Sequence, residues 1–119
     1  MFLSLSHQKL DVYAVVKALV KECYRVTKTF PAEERFTLVP QIRRAALSVH
    51  LNVSEGCSRR SASERKRYFE IARGSIIEID AALEIASEEG YLKNKDVQTI
   101  EQFIIRAFQL LSALIKSTE

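Results

Sequence analysis

Apolar residues recur along this chain at steps of three and four over four long stretches, the spacing of amphipathic helices. In the first, Leu10, Tyr13, Val16, Leu19 or Val20, Cys23, Val26 or Thr27, and Phe30 follow a seven-residue repeat, while Lys17, Lys21, Arg25 and Lys28 lie elsewhere. A helix is expected from about Gln8 to Thr29, with Ser6 as its N-cap. Pro31 stops it, because the proline ring disfavours helix at the preceding residue. Residues 32–39 read as a connection containing a short helical turn, with Phe36 and Leu38 plugging the end of the core.

Pro40 suits the first turn of a second helix, where its missing N–H costs little. That helix is expected to reach Glu55, with Gly56 as a left-handed stop. Its small residues Ala45, Ala46 and Ser48 allow close approach of a neighbour. After a turn over residues 57–62, Ser61 or Ser63 caps a third helix, and Ser61 with Glu64 has the capping-box spacing. The third helix is expected to run to about Glu89 with Tyr68 or Phe69, Ala72, Ser75 or Ile76, Ile79, Leu83 and Ala86 inward. Gly74, in mid-helix, costs about 1 kcal/mol against alanine. It is expected to be a contact point for the alanines of helix two, and Gly90 ends the element. Asn94 is then expected to cap a fourth helix from Lys95 to about Ser117. Its core residues are Val97, Ile100, Phe103 or Ile104, Ala107 or Phe108, Leu111, Leu114 and Ile115. Ile105 and Leu110 widen that apolar arc, which suggests a second buried surface and hence self-association.

Four such helices with short turns predict an all-α fold, an antiparallel up-down-up-down four-helix bundle, formed by residues 1–119 as one domain. Three glycines, two prolines and 47% hydrophobic residues agree with long regular elements. At this length the fold buries roughly two-thirds of the surface exposed by the unfolded chain. Neither a secretory signal nor an 18-residue apolar run is legible, so a soluble, cytoplasmic protein without a membrane partner is expected. Two cysteines, Cys23 and Cys57, suit a reducing compartment. Cys23 falls about 24 Å up the first helix by helical rise, too far from Cys57 for a bridge.

Within the second stretch a polar line interrupts the apolar pattern. Gln41, Arg44, Ser48, Asn52 and Glu55 share one helical face, and Glu70, Arg73 and Glu78 on helix three are the expected partners of its charges. With Gly74, these residues read as a network specifying how helices or subunits fit together. Charge then adds a second feature. From Gln41 to Gly74 eight basic residues face three acidic ones, a local +5 within a chain of net +3. Arg59, Arg60, Arg65, Lys66 and Arg67 gather beside the start of helix three, whose free N–H groups and dipole favour anions. Arginine forks suit phosphate oxygens. This cluster is the candidate nucleic-acid-binding site, for RNA or DNA, by backbone contact rather than base reading. The alternative is an oligomeric scaffold for a protein partner, with the arginines used in subunit contacts.

Catalytic chemistry finds little foothold. No glycine-rich phosphate loop or nucleophile elbow occurs, so no catalytic residue and no cofactor is assigned. The Glu-x-x-His pattern of carboxylate-bridged metal bundles is missing. His7, His50 and Cys57 lack zinc spacings, so no metal site is expected.

Gln41, Arg43, Arg44, Ala45, Ser48, Asn52, Val53, Glu55 and Gly56, followed by Arg59 and then Phe69, Ala72, Arg73, Gly74, Ser75 and Glu78, form a long motif. With Val12, Tyr13, Tyr24 and the Phe30-Pro31 stop, it resembles a bacterial four-helix-bundle family. The members of that family include proteins encoded in intervening sequences of 23S ribosomal RNA genes. The resemblance implies a ring-like homopentamer. A related branch, the accessory protein of diversity-generating retroelements, binds nucleic acid through a basic surface. His50 stands where the family often has proline, which implies a straighter second helix, and Cys57 and Ser58 replace an aromatic and glycine pair.

Overall fold

The apolar periodicity is realised as four α-helices in a computed structural model that describes residues 2–119. They are α1 (Asp11–Thr27), α2 (Leu38–Ser58), α3 (Ala62–Glu88) and α4 (Asn94–Ser117). Short 3-10 turns occupy Ser6–Lys9 and Ala32–Glu34, and there is no strand among the described residues. Each helix contributes one stripe to a shared core. On α3 that stripe is Phe69, Ala72, Ile76, Ile79, Leu83 and Ala86, as the repeat predicts, while α4 supplies Ile100, Ala107, Leu111 and Ile115. Val16, Leu19 and Cys23 of α1 and Ile42, Val49 and Val53 of α2 are wholly enclosed. Burial pushes the Cys23 thiol up to about 12, and both cysteines are free.

Several boundaries depart from expectation for identifiable reasons. Ser6 does not cap α1; it opens the 3-10 turn, and Leu10, in extended backbone, separates that turn from the helix. Phe36 is 84% exposed rather than a core plug. Phe30 closes that end of the core by packing against Tyr91 with ring centroids 5.4 Å apart. Leu38 does pack against the core. Asn94 is the first residue of α4, and Lys93 holds the cap position without a side-chain bond. Gly90 has φ +80 and stops α3 as expected, with the Tyr91 N–H returning to the Ala86 carbonyl at 2.9 Å.

The contact role predicted for Gly74 falls to Gly56. Gly56 is not a left-handed stop, since α2 continues helically to Ser58. A Cβ at Gly56 would stand 2.7 Å from Phe69 Cε1, 2.9 Å from Phe69 Cδ1 and 3.1 Å from Tyr68 Cβ. The missing side chain therefore lets α2 and α3 meet at this point. Gly74, expected to be that contact, is exposed and a Cβ there would meet nothing within 4 Å.

A cavity of about 360 Å³ marks one end of the molecule, where His7, Leu10, Cys57, Phe69 and Leu114 converge. At the other end Arg25 Nη2 donates to Asp96 Oδ1 at 2.8 Å, and Tyr91 Oη donates to Glu34 Oε2 at 2.9 Å. The Arg25 guanidinium holds the Asp96 carboxyl below its ordinary range. The bonds from Thr37 and then Tyr91 do the same for Glu34.

Candidate nucleic-acid interface

Beside the cavity end, α2 finishes and α3 begins within four residues, which brings the arginine cluster together around one helix junction. Ser61 Oγ accepts the Glu64 N–H at 3.1 Å, capping α3. The five predicted cations divide into two groups. Arg59 Nη2 donates to Glu55 Oε2 at 2.9 Å and to Tyr68 Oη at 3.2 Å, and its guanidinium lies 5.1 Å from the Tyr68 ring centre. Arg65 Nη1 donates to the main-chain carbonyls of Arg59 and Arg60, pinning the turn between α2 and α3. Lys66 Nζ sits 3.2 Å from Glu119 Oε1. The guanidinium groups of Arg60 and Arg67, in contrast, are on exposed residues and bond to nothing among the described residues. Their forks are free for an external oxyanion.

Two further cations belong to this end and were missed by sequence reasoning. Lys9 precedes Leu10, and Lys116 stands between the cavity residues Leu114 and Ser117; both are exposed. They are distant from Arg60 along the chain, and only the fold makes them neighbours of the same pole.

The polar line of α2 is partly joined to α3. Gln41 Nε2 donates to Glu78 Oε2 at 3.2 Å, and Ser75 Oγ donates to Ser48 Oγ at 2.9 Å. Asn52 Nδ2 bonds within α2, to the Ser48 carbonyl at 2.8 Å. The expected pairing of Arg44 and Glu55 with charges of α3 does not occur. Glu55 pairs with Arg59, Arg73 turns toward α4, where Nη1 donates to Ser112 Oγ at 3.2 Å, and Arg44 is exposed. These charges lie at the surface, where water replaces a buried partner without the desolvation penalty of an interior site.

Arg43 is the arginine more deeply engaged in the fold. Its Nε donates to Thr27 Oγ1 at 2.9 Å, and its guanidinium sits 4.8 Å from the Tyr24 ring centre. Thr27, buried, in turn donates to the Cys23 carbonyl. A threonine on the apolar stripe of α1 was the available signal for this bond.

His7 meets the Tyr13 ring edge to face and Tyr13 leans at a tilt on His50, with centroid separations of 5.5 and 5.2 Å. His50 Nδ1 is buried without a hydrogen-bond partner. Among the described residues, no group of three His, Cys, Asp or Glu is placed to hold a metal ion. No helix is long and apolar enough to cross a membrane.

The model of the 23S rRNA-intervening sequence proteins matches residues 8–113, which spans all of α1, α2 and α3 and most of α4. The chain belongs to this family. A crystal structure of an S23 ribosomal protein family member of unknown function from Bacteroides thetaiotaomicron VPI-5482 has the same fold. It has a TM-score of 0.81 at 21% identity, covering 88% of this chain and 98% of that one. At that identity the likeness bears on fold alone. No curated protein matches.

Proposed function

We propose that this 23S rRNA-intervening sequence family member is a non-enzymatic, cytoplasmic protein that binds RNA or DNA phosphates through its basic end. The observation that carries this reading is the pair of unpartnered guanidinium groups of the exposed Arg60 and Arg67 beside the N-terminus of α3. Their neighbours Arg59 and Arg65 are bound to the junction itself. They serve mainly to hold it in shape, while Arg60, Arg67, Lys9 and Lys116 supply long-range attraction. The helices form an antiparallel up-down-up-down bundle in this reading. The contacts Gln41 to Glu78, Ser48 to Ser75 and Gly56 to Phe69 support opposite senses for α2 and α3. Exposed Ile77, Ile105 and Phe108 support self-association into a ring-like homo-oligomer, a pentamer by resemblance.

Electrophoretic retardation of labelled ribosomal RNA fragments and generic duplexes tests the binding site. Arg60→Glu with Arg67→Glu is expected to abolish the shift, while Arg35→Glu, at an exposed position outside the junction, leaves it intact. Equal retardation by all three proteins would remove the site.

A second reading rests on a different patch. Leu47 and Leu51 of α2 and Ile71 of α3 are 39%, 58% and 42% exposed. They would suit a scaffold for a protein partner, which predicts binding of protein but no retardation of nucleic acid.

A further inference from the structure

α3 and α4 leave a furrow between them. Two hollows of about 320 and 340 Å³ share Asp80 and Ile104, so they join along the seam. Its floor is apolar, with Leu83 and Ile100 buried beneath one half and Ile77, Ile105 and Phe108 exposed along the other. Its rim is acidic. Asp80, Glu84 and Glu88 follow one another at four-residue steps on α3, Glu101 faces them from α4, and none is in an ion pair among the described residues.

α1 carries the complementary surface. Ala14, Lys17, Ala18, Lys21, Arg25 and Lys28 recur at three- and four-residue steps on its outer side, all exposed except the half-buried Ala18. Arg25 is held by Glu22 and Asp96 yet stays 50% exposed. The alanines leave a shallow track between the cations.

We propose that the outer face of α1 in one copy lies along the α3–α4 furrow of a second copy. The inference rests on the self-association proposed above and adds which two faces meet. Leu10 and Phe69 line the same cavity and so mark one level on the two helices. Both helices rise by the same amount per residue. Lys21 is as many residues beyond Leu10 as Asp80 is beyond Phe69, and Arg25 corresponds to Glu84 in the same way. Lys28 corresponds to Ser87, next to Glu88, and the small Ala18 corresponds to the exposed Ile77. Copies related by an axis parallel to the helices keep their levels, so opposite charges meet without sliding. Because the two faces differ, the contact is heterologous, the kind that builds a ring where the rotation between copies closes.

Light scattering of the full chain over a concentration series, with circular dichroism to verify folding, tests this pairing. Lys21→Glu with Lys28→Glu, and separately Asp80→Lys with Glu88→Lys, are each expected to raise the dissociation concentration at least about a hundredfold. A chain carrying all four substitutions is expected to recover assembly, since every contact then again pairs a basic face with an acidic one. Should either reversal unfold the chain, Lys21→Ala with Lys28→Ala takes its place and is expected to weaken assembly in the same direction. Unchanged assembly in the two charge-reversal variants, or no recovery in the fourfold variant, overturns the assigned faces while self-association stands. A wild-type chain that stays monomeric throughout overturns both, including the case in which the furrow takes a basic helix of another protein.

Discussion

A methyl group at position 56 would have to displace the Phe69 ring, whose nearest carbon is 2.7 Å from the site. Phe69 is buried and has little room to yield. Gly56→Ala is therefore expected to destabilise the fold by about 1–3 kcal/mol, as overpacking does. Gly74→Ala goes the other way, gaining about 0.5–1 kcal/mol by adding helix propensity at an open site. Urea denaturation of the two variants checks the opposite signs. Both glycines stand out in the sequence, yet their roles were not legible there. Which glycine faces a neighbour depends on where α2 and α3 come closest, a property of neither helix alone. His50 offers a second test at this scale. Burial, then the positive charges of Lys17 and His7, lower its pKa in the fold from an ordinary 6.5. The unfolded chain thus binds this proton more readily. The contribution of neutral His50 is complete above the unfolded pKa and is lost as pH falls through it toward the folded one. The urea midpoint should decline as pH falls below about 6.5, and His50→Gln should flatten that decline.

Helix ends differ in how much of their chemistry is local. The start of α3 was legible because a serine three residues before a glutamate satisfies an orphan N–H with no help from the rest of the fold. Ser61→Ala is expected to cost about 1 kcal/mol by urea denaturation, with α3 otherwise intact. The end of α2 was not legible in the same way. Gly56 stays helical against Phe69 and α2 extends to Ser58, while the turn beyond it is held by Arg65, a side chain from the next helix. Interior stripes were read well wherever one face is buried, as on α3. On α4 the choice between Ala107 and Phe108 stayed open from the repeat, and the structure buries Ala107 while Phe108 lies under the Arg73 guanidinium at 5.8 Å.

Across the whole molecule, charge is sorted along a body of 43 × 30 × 25 Å. Arg60, Arg67, Lys9 and Lys116 collect at the cavity end, Lys17, Lys21 and Lys28 follow the outer side of α1, and Asp80, Glu84, Glu88 and Glu101 line the furrow between α3 and α4. The clustering of Arg59 to Arg67 was visible in the chain, but the division between structural and free arginines required the Glu55, Tyr68 and carbonyl contacts. The proposal of phosphate binding stands or falls with the free ones. Fluorescence anisotropy of a labelled ribosomal RNA fragment, titrated at several salt concentrations with wild-type protein and the Arg60→Glu, Arg67→Glu variant, measures this directly. The account predicts wild-type affinity that falls steeply with salt. In the variant it predicts weaker binding and a shallower slope, by about 0.7–0.9 for each phosphate that is no longer neutralised. No wild-type binding at low salt, or the same affinity and slope in both proteins, would contradict it.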